Sequence, residues 1–243
     1  MKEMEREGRA TIHYLAEFLR DTKIRETVVQ AGASLDEIDG VKFQGWAPLH
    51  HAVRFKKRDF AEALVKHGAK LDVKCAHEQE TPLMHLLRTE SGEMNATEQA
   101  NALWLIAQGA DVNTVNQNQA GPLHLAAQSG CRALLEALLD AGAKPTQSKY
   151  GSNPLHYCVR THDKDEALWD RLIALGCGLE DRSDGQTVVM TAQMFHNHTA
   201  VAYFIRKGAK VDVKDDEGQS MLESAKELGQ SKIIALIEKA LKK

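Results

Sequence analysis

Three arginines, Arg54, Arg88 and Arg160, each stand seven residues after the start of one short phrase, which reads Ala47-Pro48-Leu49-His50, Thr81-Pro82-Leu83-Met84 and Asn153-Pro154-Leu155-His156. Guanidinium groups repeated at one register present forked donors, which suit carboxylates or phosphates. Glu17, Gln128, Met194 and Glu227 hold the same slot in other copies. Neighbouring positions carry His51, Phe55, His85, Tyr157 and Phe195, and the connecting loops carry Phe43, Trp46, His77 and Tyr150. Arginine and aromatic side chains supply most of the energy of protein interfaces, about 2 kcal/mol each at a hot spot. The chemistry on offer is therefore recognition of an acidic or phosphorylated surface.

Catalysis lacks its parts. The sequence has no Gly-x-Ser-x-Gly, His-Glu-x-x-His, Walker loop or dinucleotide glycine pattern. His196-x-His198 supplies two imidazoles without a nearby third ligand, which makes a poor metal site. The expectation is no enzyme, no metal and no cofactor.

The elements that hold these residues follow from the phrase itself. It contains Pro48, Pro82, Pro122 and Pro154, spaced by 34, 40 and 32 residues, and a Gly-Ala marker follows at Gly68, Gly109, Gly142 and Gly208. Such a period signals stacked units. Thr81 and Thr187 can cap a helix whose first residue tolerates proline. Leu49, Leu83, Leu123 and Leu155 begin a buried stripe, and a second apolar helix such as Ala133-Leu134-Leu135-Glu136-Ala137-Leu138-Leu139 ends at Gly142, where a left-handed cap favours glycine. Each unit is predicted to be helix, turn, helix and polar loop.

Bulk properties agree. Hydrophobic residues make up 43% of the 243 but aromatics only 5%, as thin helical layers require, and the net charge of −3 is too slight to argue for a nucleic-acid or membrane partner, so neither is expected. No apolar run reaches membrane-spanning length, the stretch 1–9 is a charged lead without signal-peptide character, and Cys75, Cys131, Cys158 and Cys177 match no zinc or disulfide framework. A reducing cytoplasm is the expected home, with the nucleus, or the host cytosol for a secreted bacterial effector, as further settings.

The run Gly121-Pro122-Leu123-His124-Leu125-Ala126-Ala127 through Leu138-Leu139-Asp140-Ala141-Gly142-Ala143 resembles the ankyrin repeat family. The resemblance implies an all-α solenoid of about six to seven helix-turn-helix units over 10–243, with units near 10–44, 45–78, 79–119, 120–151, 152–184, 185–217 and a capping unit at 218–243. The third unit carries an insertion at 89–97. The resemblance further implies projecting hairpin fingers and a concave face where partners bind, and makes His13, His50, His124 and His156 structural, bonding adjoining repeats. On this reading the chain is a monomeric, non-catalytic protein-binding module, a scaffold, adaptor or inhibitor. The alternative is a sensor of a nucleotide or phosphorylated ligand that uses the same arginines and rings. Leu105 followed by Asp111-Val112-Asn113 also resembles the context in which ankyrin asparagines are hydroxylated, although Asn113 is more simply a turn residue.

Overall fold

The computed structural model describes residues 34–40, 45–88, 94–160 and 164–242. His13, Glu17 and Phe43 lie outside the described residues, as does most of the unit expected at 10–44. Two compact units divide the chain, 1–143 and 144–243. In the first the described helices are α1 (Pro48–Arg54), α2 (Arg58–Lys66), α3 (Pro82–Leu87), α4 (Ala96–Ala107), α5 (Pro122–Ser129) and α6 (Arg132–Asp140). In the second they are α7 (Pro154–Cys158), α8 (Glu166–Ala174), α9 (Val188–Met194), α10 (His198–Arg206), α11 (Met221–Glu227) and α12 (Ser231–Leu241), with a two-stranded hairpin of β1 (Arg182–Ser183) and β2 (Gln186–Thr187). The fold is all-α, as the repeat implied.

Each phrase opens a first helix because its prolines take the position where no amide hydrogen is needed. The preceding residue caps it: Thr81 Oγ1 accepts from the Met84 amide at 3.3 Å, and Asn153 Oδ1 from the Leu155 amide at 3.0 Å. Thr187 departs from its expected role. Its backbone is engaged in β2, opposite Arg182, and its buried hydroxyl reaches no amide of α9. Ala47 occupies the capping place of α1 with no side-chain bond, in the same extended backbone conformation as Thr81. Ala47→Thr is therefore expected to raise stability by about 1 kcal/mol, read as a higher thermal midpoint; a lower one would reject the assigned phase.

The second helices end where the chain must turn left-handed. At Gly142, φ is 85°, and the Ala143 amide closes the turn on the Leu138 carbonyl at 2.9 Å. Within the first unit α1 packs on α3, α3 on α5 and α4 on α6, around fully buried Leu49, Leu64, Leu83, Leu105, Leu134 and Leu138. Within the second, α7 packs on α9, α9 on α11 and α10 on α12, around Leu155, Trp169, Leu172, Phe204, Met221 and Ile237. The last helix, α12, buries only part of its apolar stripe Ile233, Ile234, Ile237 and Leu241. Ile233 and Ile237 are buried, but Leu241 is 47% exposed.

The connecting loops fold as short hairpins. The Cys75 amide bonds the Glu80 carbonyl at 2.9 Å, Ser148 bonds Ser152 at 2.8 Å and Asp215 bonds Gln219 at 3.0 Å. At β1–β2 the turn is Asp184-Gly185, with φ of 49° and 77°, the sequence and geometry that a two-residue hairpin demands. Of the insertion expected at 89–97, residues 89–93 lie outside the described residues. Ala96 and Thr97 belong to α4 instead, because Asn95 caps that helix by accepting from Thr97 and Glu98, and Glu98 bonds back to the Asn95 amide.

Candidate functional site

In the first unit, α1 and α3 bring six of the expected residues together: Trp46, His51, Arg54, Phe55, His85 and Arg88. Asp39 organises them. One of its buried carboxylate oxygens accepts from the Trp46 amide at 2.7 Å and the other meets His51 Nε2 at 3.0 Å. The Trp46 ring then lies edge-on between His51, with centroids 5.1 Å apart, and His85, at 4.4 Å, while His51 stacks on Phe55 at 6.1 Å. His51 is 1% exposed, so the expectation that it meets a partner is corrected: it is an internal brace for Trp46. Phe55 remains 38% exposed and Arg88 lies at the surface.

A buried acid sits beneath Arg88. Glu80 is 1% exposed, with one oxygen bonded to Asn116 Nδ2 at 3.0 Å and lying 3.6 Å from Arg88 Nη1; its other oxygen has no hydrogen-bond partner. Burial pushes its carboxyl above the usual carboxylate range, against the opposing pull of Asn116 and Arg88. Arg88 also approaches Glu78 at 3.6 Å. Burial pushes His85 down to about 3, assisted by His50 and by the positive charges of Arg54 and Arg88. Gln128, on α5, is exposed, and His77 is exposed in the loop before α3.

In the second unit, α7 and α9 build a different arrangement. The Arg160 guanidinium carbon lies 4.5 Å from the Tyr157 ring centroid and 5.4 Å from that of Phe195, so two rings flank one exposed cation. Met194 and Phe195, 49% and 40% exposed, continue the surface. Tyr150 is 62% exposed in the loop before α7, where its amide bonds Ser148 Oγ at 3.2 Å. His196 Nδ1 meets the Gln230 amide nitrogen at 3.1 Å. Among the described residues no cluster of three or more His, Cys, Asp or Glu could hold a metal ion. Burial pushes the Cys158 and Cys177 thiols up to about 12, which removes nucleophilic thiolate at neutral pH.

Two family models match the chain, one for the ankyrin repeat over residues 44–76 and one for three copies of ankyrin repeats over 93–169. The chain is an ankyrin repeat protein. Among curated proteins it is similar to a transient receptor potential cation channel subfamily A member 1 homolog of Caenorhabditis elegans, 38% identical over 104 residues, covering 42% of this chain and 8% of that protein. It is similar to ankyrin repeat protein nuc-2 of Neurospora crassa, 27% identical over 71% of this chain and 16% of that protein, and to human Rabankyrin-5, 24% identical over 83% and 17%. The match spans less than a fifth of each relative's length.

The ankyrin histidines do structural work whose geometry is explicit. His50 Nδ1 accepts from the Ala47 amide at 3.2 Å while Nε2 donates to the Glu80 carbonyl in the next hairpin at 3.0 Å; His156 repeats this with Asn153 at 3.1 Å and Asp181 at 3.1 Å. Where the last ankyrin unit puts Glu223 in that slot, its carboxylate accepts from the Ser220 amide at 2.8 Å, filling the inward half of the role. Asn113 is exposed; its own amide bonds Asp111 Oδ1 at 2.8 Å and its side chain donates to the Gly142 carbonyl at 3.3 Å. Among the described residues no helix of the ankyrin fold is long and apolar enough to cross a membrane.

Sequence reasoning missed the acids. Asp39 and Glu80 lie in loops outside any helical period, so nothing marked them as buried. Asp184 and the run Asp215-Asp216-Glu217 are likewise loop residues with no helical register to mark them.

Proposed function

We propose that this chain is a non-catalytic protein-protein interaction module, acting as scaffold, adaptor or inhibitor, whose partner docks on the face formed by the first helices and the fingers. The observation that carries the reading is the Tyr157–Arg160–Phe195 stack beside half-exposed Met194. Flanking rings preorganise the guanidinium, which lowers the entropy cost of using it in a complex. They also group arginine, tyrosine, phenylalanine and methionine, residue types enriched where interfaces draw their energy. The guanidinium suits a carboxylate or phosphate on the partner, and the buried, protonated thiols suit a reducing cytoplasm. Nucleotide sensing is the weaker reading, because Trp46 is already packed between two imidazoles and Tyr157 already carries a guanidinium.

Capture from native cytosol tests the proposal. Proteins retained by the wild type and by the control Leu103→Ala, a half-exposed residue of α4, are expected to fall at least tenfold with Tyr157→Ala, Arg160→Ala and Phe195→Ala combined. An unchanged set on the triple variant would reject this face as the docking surface.

A further inference from the structure

The charge of the second unit reverses on the far side of Met194. There a groove of 490 Å³ opens between α9 and α11 and the two hairpins that precede them. Its apolar floor includes Met194 and Leu228, respectively 49% and 50% exposed. Its rim is formed by Asp184 on one finger and Asp216 and Glu217 on the next, and no Lys, Arg or His lines it; the Asp215 carboxylate beside them is already engaged, accepting from the Glu217 amide at 3.1 Å, the Gln219 amide at 2.8 Å and Gln186 Nε2 at 3.3 Å. The nearest finger guanidinium, Arg182, is spent on the Gly185 carbonyl at 2.6 Å and the Lys214 carbonyl at 2.8 Å, and approaches Asp216 only at 3.8 Å. The base of the groove is braced from within: Gln193 donates to Gln230 at 2.7 Å and to Ser224 at 3.2 Å, and Gln230 returns a bond to the Gln193 carbonyl at 2.8 Å.

Three carboxylates around two half-exposed apolar side chains define what fits. We infer that this groove receives a short basic segment of a protein partner, a leucine- or methionine-sized side chain on the floor with lysine or arginine on either side. The inference rests on the interaction-module reading and adds to it the charge class of the partner at this end. Apolar surface left open in a groove of ligand size gains from burial, and the rim selects the flanks by attraction and rejects acidic ones by repulsion. The rim also disfavours nucleic acid, whose phosphates would face it. Arg160, held by Phe195 next to Met194, has the opposite sign, so a partner with acidic residues preceding or following its basic stretch is held in one direction along the face.

Fluorescent peptide pools test this on the full chain. Each pool shares a central mixture of Leu, Met, Phe and Ile and differs only in its flanks, which are Lys/Arg, Gln/Ser or Glu/Asp. By anisotropy the basic pool is expected to bind at least tenfold more tightly than the neutral pool and to weaken as salt is added. Combined Asp184→Asn, Asp216→Asn and Glu217→Gln should abolish the preference while leaving the thermal midpoint in place, since asparagine tolerates the positive φ of position 184 and the Arg182–Asp216 pair is exposed. Met194→Ala with Leu228→Ala should weaken the basic pool at least fivefold. Equal binding by neutral or acidic pools, no binding by any pool, or a preference that survives the triple variant overturns the inference. If the pools fail while capture still depends on Tyr157, Arg160 and Phe195, the interaction-module reading stands and only the basic-segment assignment falls.

Discussion

Replacing Trp169 by alanine is expected to cost the second unit about 3–5 kcal/mol, the range for a fully buried large aromatic side chain. Trp169 is 1% exposed on α8, its ring centroid 5.1 Å from Tyr203 and 5.4 Å from Phe204 of α10, and those two rings meet edge-on at 5.1 Å. Alanine would leave a cavity between successive second helices that Tyr203 is held from filling, because its hydroxyl is tied to Asp170 Oδ1 at 2.6 Å. The same Asp170 is paired with Lys207, which, ahead of the Tyr203 bond, holds its carboxyl below the usual range. A domain commonly has only about 5–15 kcal/mol in total, so the loss should appear as a much lower midpoint in urea, followed by circular dichroism. Trp104→Ala is the contrast. That ring is half-buried, with the Arg58 guanidinium carbon 4.3 Å from its centroid, and its removal should cost far less. Equal losses at the two tryptophans would reject this account of the core.

Both tryptophans read from sequence as packing residues of second helices, and their different burial follows from the repeat phase. Trp169 lies seven residues before Gly176, and the residues at that distance from the other markers, Ala61, Ala102, Leu135 and Val201, are all buried. Trp104 lies five before Gly109, about 200° around the helix from that position. Helical period thus reveals packing, and the histidine slot, being fixed within the phrase, revealed its own bonds. Polar residues in the fingers obey no period. Thr187 reads like Thr81 in sequence, yet one hydroxyl caps and the other is stranded, because only the former's hairpin delivers it to the helix amides. His51 and Phe55 both read as surface candidates; the first is buried because Asp39, distant in sequence and outside the repeat phrase, reaches it. The arginines share a helical register that sequence displays, whereas the acidic rim has none, since charge on a loop becomes a site only when two fingers bring it around one groove.

Acidification is expected to unfold the first unit over a window set by its buried histidines. Burial holds His50 down at about 4, against its bond to the Glu80 carbonyl, with His51 and Asp39 as the nearby charges; His85 is held at about 3 by burial, with His50, Arg54, Arg88 and His51 beside it. Both folded values lie below the ordinary 6.5, so the unfolded chain takes up protons first as pH falls. Stability is therefore complete above about 6.5 and is lost on the way down to about 4 for His50 and about 3 for His85, by roughly 1.4 kcal/mol per pH unit from each histidine. Glu80 acts in the opposite sense: its raised carboxyl lets the folded chain accept a proton that the unfolded chain still refuses, which blunts the slope near its lower end. His85→Phe isolates one contribution. The buried His85 Nε2 has no hydrogen-bond partner, so an apolar ring of similar size beside Trp46 should leave stability at neutral pH no lower. Between pH 6 and 4.5 the dependence of unfolding free energy on pH should then flatten by about 1.4 kcal/mol per unit relative to wild type. An unchanged slope in denaturant titrations across that range would show that His85 is already protonated in the folded chain and that its imidazole does not sit in the desolvated contact between Trp46 and His50.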